Sequence, residues 1–572
     1  MIFKNLQNIL KIFIDTPKKY LILLFAIFSS FFSLIGIPLL LPAINLLTNN
    51  QNLEKDKIYI FYENFFSFFD LSVNFNNLIL FALIFIFLGQ IISLFTELFS
   101  QRIQVKLINQ YMANLLEGYY KSSWLYMNDV KSGNLHSGLS RESTLMSEAH
   151  LDSLRFVSSL LFLSTYLMIS FIIFPKFIIF IFIYFIVTSI PILVITSLTK
   201  KLSKKNNLTQ IDLSSLITNL LNNKKFFKSS TNYFGFKEVI KEKINFIMNT
   251  NWKMIFFNGS LRTYNFLIGM IMLIIVLVMH ETLNLKIPEI LILLFVFSRT
   301  VPAYITFANN FTRIVEKIPI YFLFKEKKKD LELNEEKFSH NKYESESIIK
   351  FENVSFSYGE NKDSVLKNIE LTIKPYSTIA ITGPSGSGKS TLVDLLLGLI
   401  KPQKGKILYG NNNNETIDYR TFRKKVSYVS QNSTLIDGSV DFNMKILNKN
   451  ETKENIIKAC KLAAMHETIE NFPGKYEYQI GENGSRLSGG QRQRLTIARS
   501  LLNNPEIIIF DEATNQLDKE TEKLIQETIK KLSHNKTIII ITHKLENYKN
   551  IDQVYEIENN EIKKNINKSK IL

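Results

Sequence analysis

Hydrophobic positions in this chain are not spread evenly. They gather into long unbroken runs in the first 325 residues and into short strand-length runs after that. A bilayer takes about 20 mostly apolar residues per helix. Residues 20–48 (YLILLFAIFSSFFSLIGIPLLLPAINLLT) and 76–98 (NNLILFALIFIFLGQIISLFTEL) each meet that length. Residues 153–174 and 177–198 form a pair joined by a tight turn at Phe174-Pro175-Lys176, and 264–280 and 287–310 form another. The pattern predicts six spans in three hairpins. Pro38, Pro42 and Pro302 do not veto them, because neighbouring helices and local distortion re-satisfy freed backbone groups. The first span is also too long for a cleavable leader, and no small-residue cleavage site follows it.

The segments between the runs are helical in pattern too. Residues 99–152 and 199–262 contain few breakers, and structureless connections that long are uncommon. A helix continued from about residue 99 to Trp124 would rise roughly 35–40 Å beyond the membrane. At its tip lies WLYMNDVKSGNLHSGLSRES (Trp124–Ser143), where Gly133 and Gly138 interrupt the pattern. That tip reads either as a short transverse helix docking on a soluble domain or as a solvated helical hairpin. Periodicity does not separate the two. A charge-dense stretch, Lys325 to Glu346, then marks a solvated linker or helix end. The resulting division is a membrane domain over 1–325, a linker over 326–347 and a soluble α/β domain over 348–572. In the last part IIKFENVSFSY and KNIELTIK alternate like strands, and STIAITGPSGSGKSTLVDLLLGLI opens a strand–loop–helix unit.

Charge orients this arrangement. The 572 residues hold 68 Lys+Arg against 51 Asp+Glu, a net charge of +17. Twelve of those cations (Lys200, Lys201, Lys204, Lys205, Lys224, Lys225, Lys228, Lys237, Lys241, Lys243, Lys253 and Arg262) sit in 199–262, against Asp212, Glu238 and Glu242. By the positive-inside rule, 99–152, 199–262 and both termini are cytosolic. Beside membrane spans, lysines face anionic lipid more readily than nucleic acid, so no nucleic-acid partner is expected. The single cysteine, Cys460, excludes an intrachain disulfide framework and a cysteine metal cluster, and reads as a small buried hydrophobe. Trp124 and Trp252 read as packing or interfacial residues. Arg299 is different, because it lies inside the sixth run. An intramembrane arginine costs at least ~2.5 kcal/mol on insertion scales, so it is expected to face an interior cavity or a partner.

The chemistry lies in the soluble half. Gly383-Pro384-Ser385-Gly386-Ser387-Gly388-Lys389-Ser390, followed by Thr391, fits G-x-x-x-x-G-K-[ST]. Glycines in such a loop let backbone N–H groups close on phosphate oxygens at a helix N-terminus. Lys389 would reach the β/γ-phosphates and Ser390 would hold Mg²⁺. The apolar run Thr378–Thr382 before the loop and the Leu-rich segment after it supply the expected strand and helix. Ile507-Ile508-Ile509-Phe510 reads as a central parallel strand and ends in Asp511 and Glu512. Acids at that strand end lie where open α/β sheets bind ligands. They suit Asp511 for the Mg²⁺ shell and Glu512 for polarising water. A second run, Thr537–Ile541, brings Thr542 and His543 to the same edge.

With these residues assembled, the sequence resembles the ATP-binding cassette (ABC) proteins. Leu487-Ser488-Gly489-Gly490-Gln491 and the following RQRLTIARSLL match that family's signature helix, 24 residues before Asp511. Tyr358 looks like the aromatic that stacks on adenine, Gln431 (in YVSQ) like the Q-loop glutamine and metal-shell ligand, and His543 like the switch histidine. Glu482-Asn483-Gly484 resembles the stretch that exporters place before the signature. The resemblance covers 348 to about 560 by motif and extends over the membrane half by layout. It implies an exporter-type half-transporter of a cytoplasmic (inner) membrane that binds ATP and Mg²⁺ and works as a homodimer. In that family the counterparts of Ser488 and Gly490 complete the γ-phosphate site of the opposite subunit. Asn515-Gln516-Leu517-Asp518 departs from the usual Ser-Ala-Leu-Asp, and Lys544 stands where Arg is commoner. Gly36-x-Pro38-x-x-x-Pro42 and Arg299-x-x-Pro302 weakly resemble the lipid-linked oligosaccharide flippases, which implies an amphipathic, lipid-linked substrate touching Arg299. Peptide or drug export by the same architecture, or an ATP-gated regulatory role, are the alternatives.

Overall fold

The structure is a computed structural model. It describes residues 2–47, 57–68, 70–173, 178–230, 234–279, 287–359, 363–513, 519–543, 545 and 551–565. The turn at 174–177, the Asn515–Asp518 stretch and Lys544 lie outside them. The chain divides into two compact units, Met1–Ser122 with Tyr126–Glu335, and Ser123–Leu125 with Glu336–Leu572.

The first unit is helical throughout. Its long elements are Lys19–Gly36, Phe75–Lys121, Ser143–Ile173, Ile178–Asn222, Phe234–Val278 and Ile287–Leu333. Among the described residues, five helices are long and apolar enough to cross a membrane. The expected span 287–310 lies in Ile287–Leu333, outside those five. Leu, Ile, Phe and Val side chains exposed along all of these helices are what a lipid-facing surface requires, since lipid takes the place of a protein core.

Three features of this unit differ from the reading of the sequence. The first run is not one helix: it ends at Gly36 and resumes as Leu40–Leu47. Pro38 has no N–H to donate, so the hydrogen bond that would continue the helix is missing there and the chain turns, although Ile37 before it keeps helical backbone (φ −72°, ψ −44°). Pro302 and Pro319, by contrast, are carried inside the continuous helix Ile287–Leu333. That helix absorbs the charge-dense stretch beginning at Lys325 as far as Leu333. The tip after Lys121 bends at Ser122, whose ψ of 157° is extended, and not at the glycines. Gly138 opens a π-turn (Gly138–Glu142) that runs on into Ser143–Ile173. Gly133 serves close approach, for a Cβ there would lie 2.3 Å from Ser215 Cα.

The second unit is built on two sheets. Its strands are β1 Ile349–Phe356, β2 Leu366–Ile373, β3 Thr378–Thr382, β4 Lys404–Tyr409, β5 Asn412–Asn413, β6 Val426–Val429, β7 Ile507–Asp511, β8 Thr537–Ile541, β9 Gln553–Glu558 and β10 Glu561–Asn565. An antiparallel sheet runs β2-β1-β4-β5. The larger sheet runs β10-β9-β3-β8-β7-β6, parallel except for the β10 edge. Every residue of β3, β7 and β8 is buried. This is why their sequences are unbroken apolar runs and not alternating ones. Parallel register places the C-terminal ends of β3, β7 and β8 side by side: Ile381 pairs with Ile541 and Ile541 with Asp511. Cys460 is a buried thiol in the helical core of this unit, and burial pushes its pKa up to about 12.

Candidate functional site

The site grows from those three strand ends. After β3 the chain turns through Gly383, Gly386 and Gly388, all with positive φ, before the helix Lys389–Leu396. Gly383, at φ 147°, has no room for a side chain: a Cβ would lie 2.5 Å from Ile557 O and 2.8 Å from Ser387 Oγ. Ser387 Oγ is itself buried without a hydrogen-bond partner. A loop closed around bare backbone, with an unsatisfied hydroxyl inside it, fits a group rich in acceptor oxygens such as a polyphosphate. Lys389 Nζ donates to Gly383 O (2.8 Å) and Pro384 O (3.0 Å) and lies 3.2 Å from His543 Nε2. Burial lowers the Lys389 pKa, against the pull of Glu512 and Asp511.

Acidic groups face this loop from β7. Asp511 accepts a hydrogen bond from Tyr428 Oη at 2.7 Å. Its pKa is raised, first by burial and then by the Glu512 charge, while Tyr428 and Lys389 act the other way. Glu512 leaves the strand with a φ of 48°, a conformation non-glycine residues adopt at a cost, and its N–H donates to Ile541 O at 3.0 Å. One carboxylate oxygen accepts from Gln431 Nε2 at 3.0 Å, and the other lies 2.9 Å from His543 Nε2. His543 Nε2 cannot both donate to Glu512 and accept from Lys389. A proton on that nitrogen selects Glu512. Thus Lys389, Gln431, Asp511, Glu512 and His543 converge, as their motif positions predict. Ser390, Asp511 and Gln431 contribute hydroxyl, carboxylate and amide oxygens, a hard donor set that fits Mg²⁺.

Other expected residues stand further out. Tyr358 is half exposed, with its hydroxyl 3.1 Å from Thr391 Oγ1 and its ring edge-on to Phe356. Pro384, Ser385 and Ser390 are exposed on the loop and the first helical turn. Ser488 caps the helix Gly489–Leu501: its Oγ accepts from Gln491 N at 3.2 Å, and Gln491 Oε1 accepts from Ser488 N at 2.9 Å. Gly490 is buried in the first turn of that helix. Among the described residues, Ser488 makes no hydrogen bond to the phosphate loop.

The sequence reading passed over one group here, Tyr428, and named a second, Trp124, only as a packing or interfacial residue. Tyr428 stands in the same YVSQ segment as Gln431, and its position on a strand beside β7 could have flagged it. Trp124 belongs by its contacts to the second unit, where it packs against the core and hydrogen-bonds Asp394 on the helix after the phosphate loop. Burial pushes the Asp394 carboxyl up to about 6, the Asp511 charge adds to this, and the Trp124 bond opposes it. A folded-state pKa above the ordinary 3.8 gives stability that is full below 3.8 and is lost as pH rises through about 6. Asp394→Asn should flatten that fall in thermal unfolding scans of the detergent-purified chain. Parallel curves for the two proteins would show that burial does not hold the proton.

Within the helical unit, a cavity of about 590 Å³ is lined by Arg299, Arg155, Arg313, Glu97, Tyr166 and several Ser and Thr residues. Arg155 is neutralised by Glu97 and reaches Asp152 at 3.6 Å. Arg299 lies over the Phe295 ring at 5.5 Å and makes no ion pair among the described residues. Pro302 lines the same cavity. Trp252 is exposed on its helix.

Comparison with known proteins agrees with this geometry. Residues 366–515 match the ABC transporter family. The leukotoxin export ATP-binding protein LtxB of Aggregatibacter actinomycetemcomitans is 39% identical over 219 residues, 38% of this chain and 31% of that protein. A putative multidrug export ATP-binding/permease protein of Staphylococcus aureus is 39% identical over 214 residues, 37% of each chain. ABC transporter B family member 13 of Arabidopsis thaliana is 34% identical over 224 residues, 39% of this chain and 18% of that protein. The matched part therefore spans well under half the length of these relatives. A solved bacterial Atm1-family ABC exporter with ATP bound superposes over 96% of this chain and 95% of its own, with a TM-score of 0.77 at 19% identity. Residues 366–515 are an ABC transporter domain, and the chain that carries it has the fold of an exporter-type half-transporter.

Proposed function

We propose that this protein is an ATP-driven exporter or flippase of a cytoplasmic membrane, with six spans, cytosolic termini and a cytosolic ATPase, working as a homodimer. The observation that carries the reading is the convergence of Gln431 and His543 on Glu512, with Lys389 against His543, beside a glycine loop closed around bare backbone. Gly383 to Thr391 hold the ATP phosphates and Tyr358 stacks on the base. Ser390, Gln431 and Asp511 hold Mg²⁺, which when bound neutralises charge on the transferring phosphoryl group. Glu512 accepts a proton from the attacking water, so that hydroxide adds to the γ-phosphorus as the bond to ADP breaks. Its contacts to Gln431 and His543 hold the carboxylate in place for that task. Ser488 and Gly490 serve the partner copy's site. Their helix is already capped by Ser488, so its N-terminus is ordered before a partner arrives.

The substrate reading is an amphipathic anion, with a lipid-linked glycan or lipid ahead of a peptide or drug. Arg299 supports it. Glu97 is taken up by Arg155, so Arg299 keeps its charge in a cavity that it shares with Arg313 and several Ser and Thr hydroxyls. A planar guanidinium suits a phosphate better than a point charge does. Substrate-stimulated ATPase activity across lipid-linked glycans, lipids and peptides tests the reading. Arg299→Gln should leave basal ATPase largely intact and abolish stimulation by the anionic substrate. If thermal stability and basal ATPase fall together while the stimulation ratio is unchanged, the arginine is structural and the anionic class loses its support.

A further inference from the structure

Glu316 lies in Ile287–Leu333, six residues beyond the expected span 287–310, or about 9 Å of helix. Among the described residues it makes no ion pair, and neutral groups reach it instead. Asn258 Nδ2, on Phe234–Val278, donates to Glu316 Oε1 at 3.1 Å. On Ile178–Asn222, the Thr199 hydroxyl also bonds the carboxyl, and Ser203 Oγ donates to Glu316 O at 2.8 Å. Residue 316 thus joins three of the long helices.

The cations nearby are spent or turned away. Adjacent helix positions stand about 100° apart. Lys317 accordingly faces Ser143–Ile173, where its Nζ lies 2.6 Å from Glu148 Oε2 and 2.8 Å from Asp152 Oδ2. Arg155 approaches Asp152 only to 3.6 Å and is held by Glu97. Arg313 lines the cavity that holds Arg299 and forms no ion pair among the described residues. Glu148, Asp152 and Glu316 are therefore left with one ammonium group between them. Ionisation of all three carboxyls would leave excess negative charge in a part-buried place, which a bound proton relieves. Burial raises the Glu316 pKa, and the Asp152 charge adds to this, while Asn258, Thr199 and Lys317 oppose it.

Asn258 shows where such a proton would sit. Its Oδ1 is buried without a hydrogen-bond partner, although its Nδ2 is bonded to the carboxyl. A primary amide and a carboxylic acid close a ring of two hydrogen bonds, N–H to acid oxygen and acid O–H to amide oxygen. An ionised carboxyl has no proton to donate and supplies only half of that ring. The orphaned amide oxygen is then a buried acceptor left unsatisfied, which is destabilising.

We propose that Glu316 and Asn258 form a proton-binding site, in which one proton from solvent adds to Glu316 Oε2 and the new O–H donates to Asn258 Oδ1. The negative charge disappears, and the bond from Asn258 Nδ2 to Oε1 is kept. The bound proton fastens Ile287–Leu333, which is a wall of the Arg299 cavity, to Phe234–Val278. Its loss sets a carboxylate against a bare amide oxygen and loosens that seam. A carboxyl whose folded pKa is raised above the ordinary 4.5 gives stability that is full below 4.5 and is lost as pH rises through the raised value.

The test uses the full chain in lipid nanodiscs and needs neither ATP nor a transported substrate. Infrared difference spectra between acid and alkaline buffer should show the carbonyl stretch of a protonated carboxyl that titrates above the ordinary carboxylate range. Glu316→Gln should lack that band. The same variant keeps the ring, because its amide donates to Asn258 Oδ1 and accepts from Asn258 Nδ2. Its thermal unfolding should stay level where the wild type loses stability, so the gap in unfolding temperature widens toward alkaline pH. An infrared band unchanged in Glu316→Gln would overturn the proposal. So would a variant less stable than the wild type by the same margin at every pH, because Glu316 would then act as a fixed carboxylate.

Discussion

Replacing Glu512 by Gln should leave MgATP binding intact and lower turnover by about 10²–10⁴-fold, the scale on which removal of a general base acts. The amide keeps the shape and size of the carboxylate, so contacts that need only an acceptor oxygen persist, among them the 3.0 Å bond from Gln431. It loses the capacity to take a proton from water. The contact to His543 weakens as well, because its 2.9 Å separation rests partly on charge. The trapped species should be a dimer with nucleotide held between two cassettes. Steady-state ATPase of the purified, detergent-solubilised variant is the measurement. Near-wild-type activity would move the general base elsewhere and leave the strained backbone of Glu512 without a role.

The second large effect is expected at Lys389. Truncating one member of a buried, hydrogen-bonded charge pair costs about 2–5 kcal/mol, or roughly thirtyfold to several thousandfold in affinity. Lys389→Met keeps the side-chain stem in the space it now fills and removes only the ammonium group. Equilibrium binding of a fluorescent ATP analogue should weaken by that amount. A smaller loss is expected in thermal stability, since Nζ also ties down Gly383 O and Pro384 O at 2.8 and 3.0 Å. Measuring both quantities separates the roles. If unfolding temperature drops while affinity of the folded protein is unchanged, the lysine holds the loop and does not bind phosphate.

These expectations rest on residues whose roles differ in how they can be known. The phosphate loop, the Asp511-Glu512 strand end and the His543 strand end were legible because each is a local pattern: an apolar run sets a buried strand, and whatever follows it must emerge at the strand's C-terminal edge. Parallel pairing of β3 with β8 and β8 with β7 then brings three distant segments to one place. Five of the six expected spans coincide with described helices long and apolar enough to cross a membrane, and they were legible for a similar reason, since hydrocarbon thickness acts on each helix separately. The break at Ile37–Leu39 was not legible in this way: Pro38 permits it, but Pro191, Pro302 and Pro319 are carried inside continuous helices, so a proline by itself does not place a break.

What the sequence by itself determined is therefore whatever depends on near neighbours in the chain: the apolar length of the helices, the unbroken hydrophobicity of β3, β7 and β8, the glycine loop and the charge bias between spans. What only the tertiary structure decided is which separate helices and strands share an environment. The pairing of Glu97 with Arg155, which leaves Arg299 its charge, joins residues 58 apart. The Asp15–Lys325 pair joins residues 310 apart, and Tyr428 meets Asp511 across 83. The Trp124 bond that steadies Asp394 belongs to the same class. No period or motif encodes such contacts, because a side chain's electrostatic partner is set by packing geometry, and packing brings together positions that the chain itself keeps far apart.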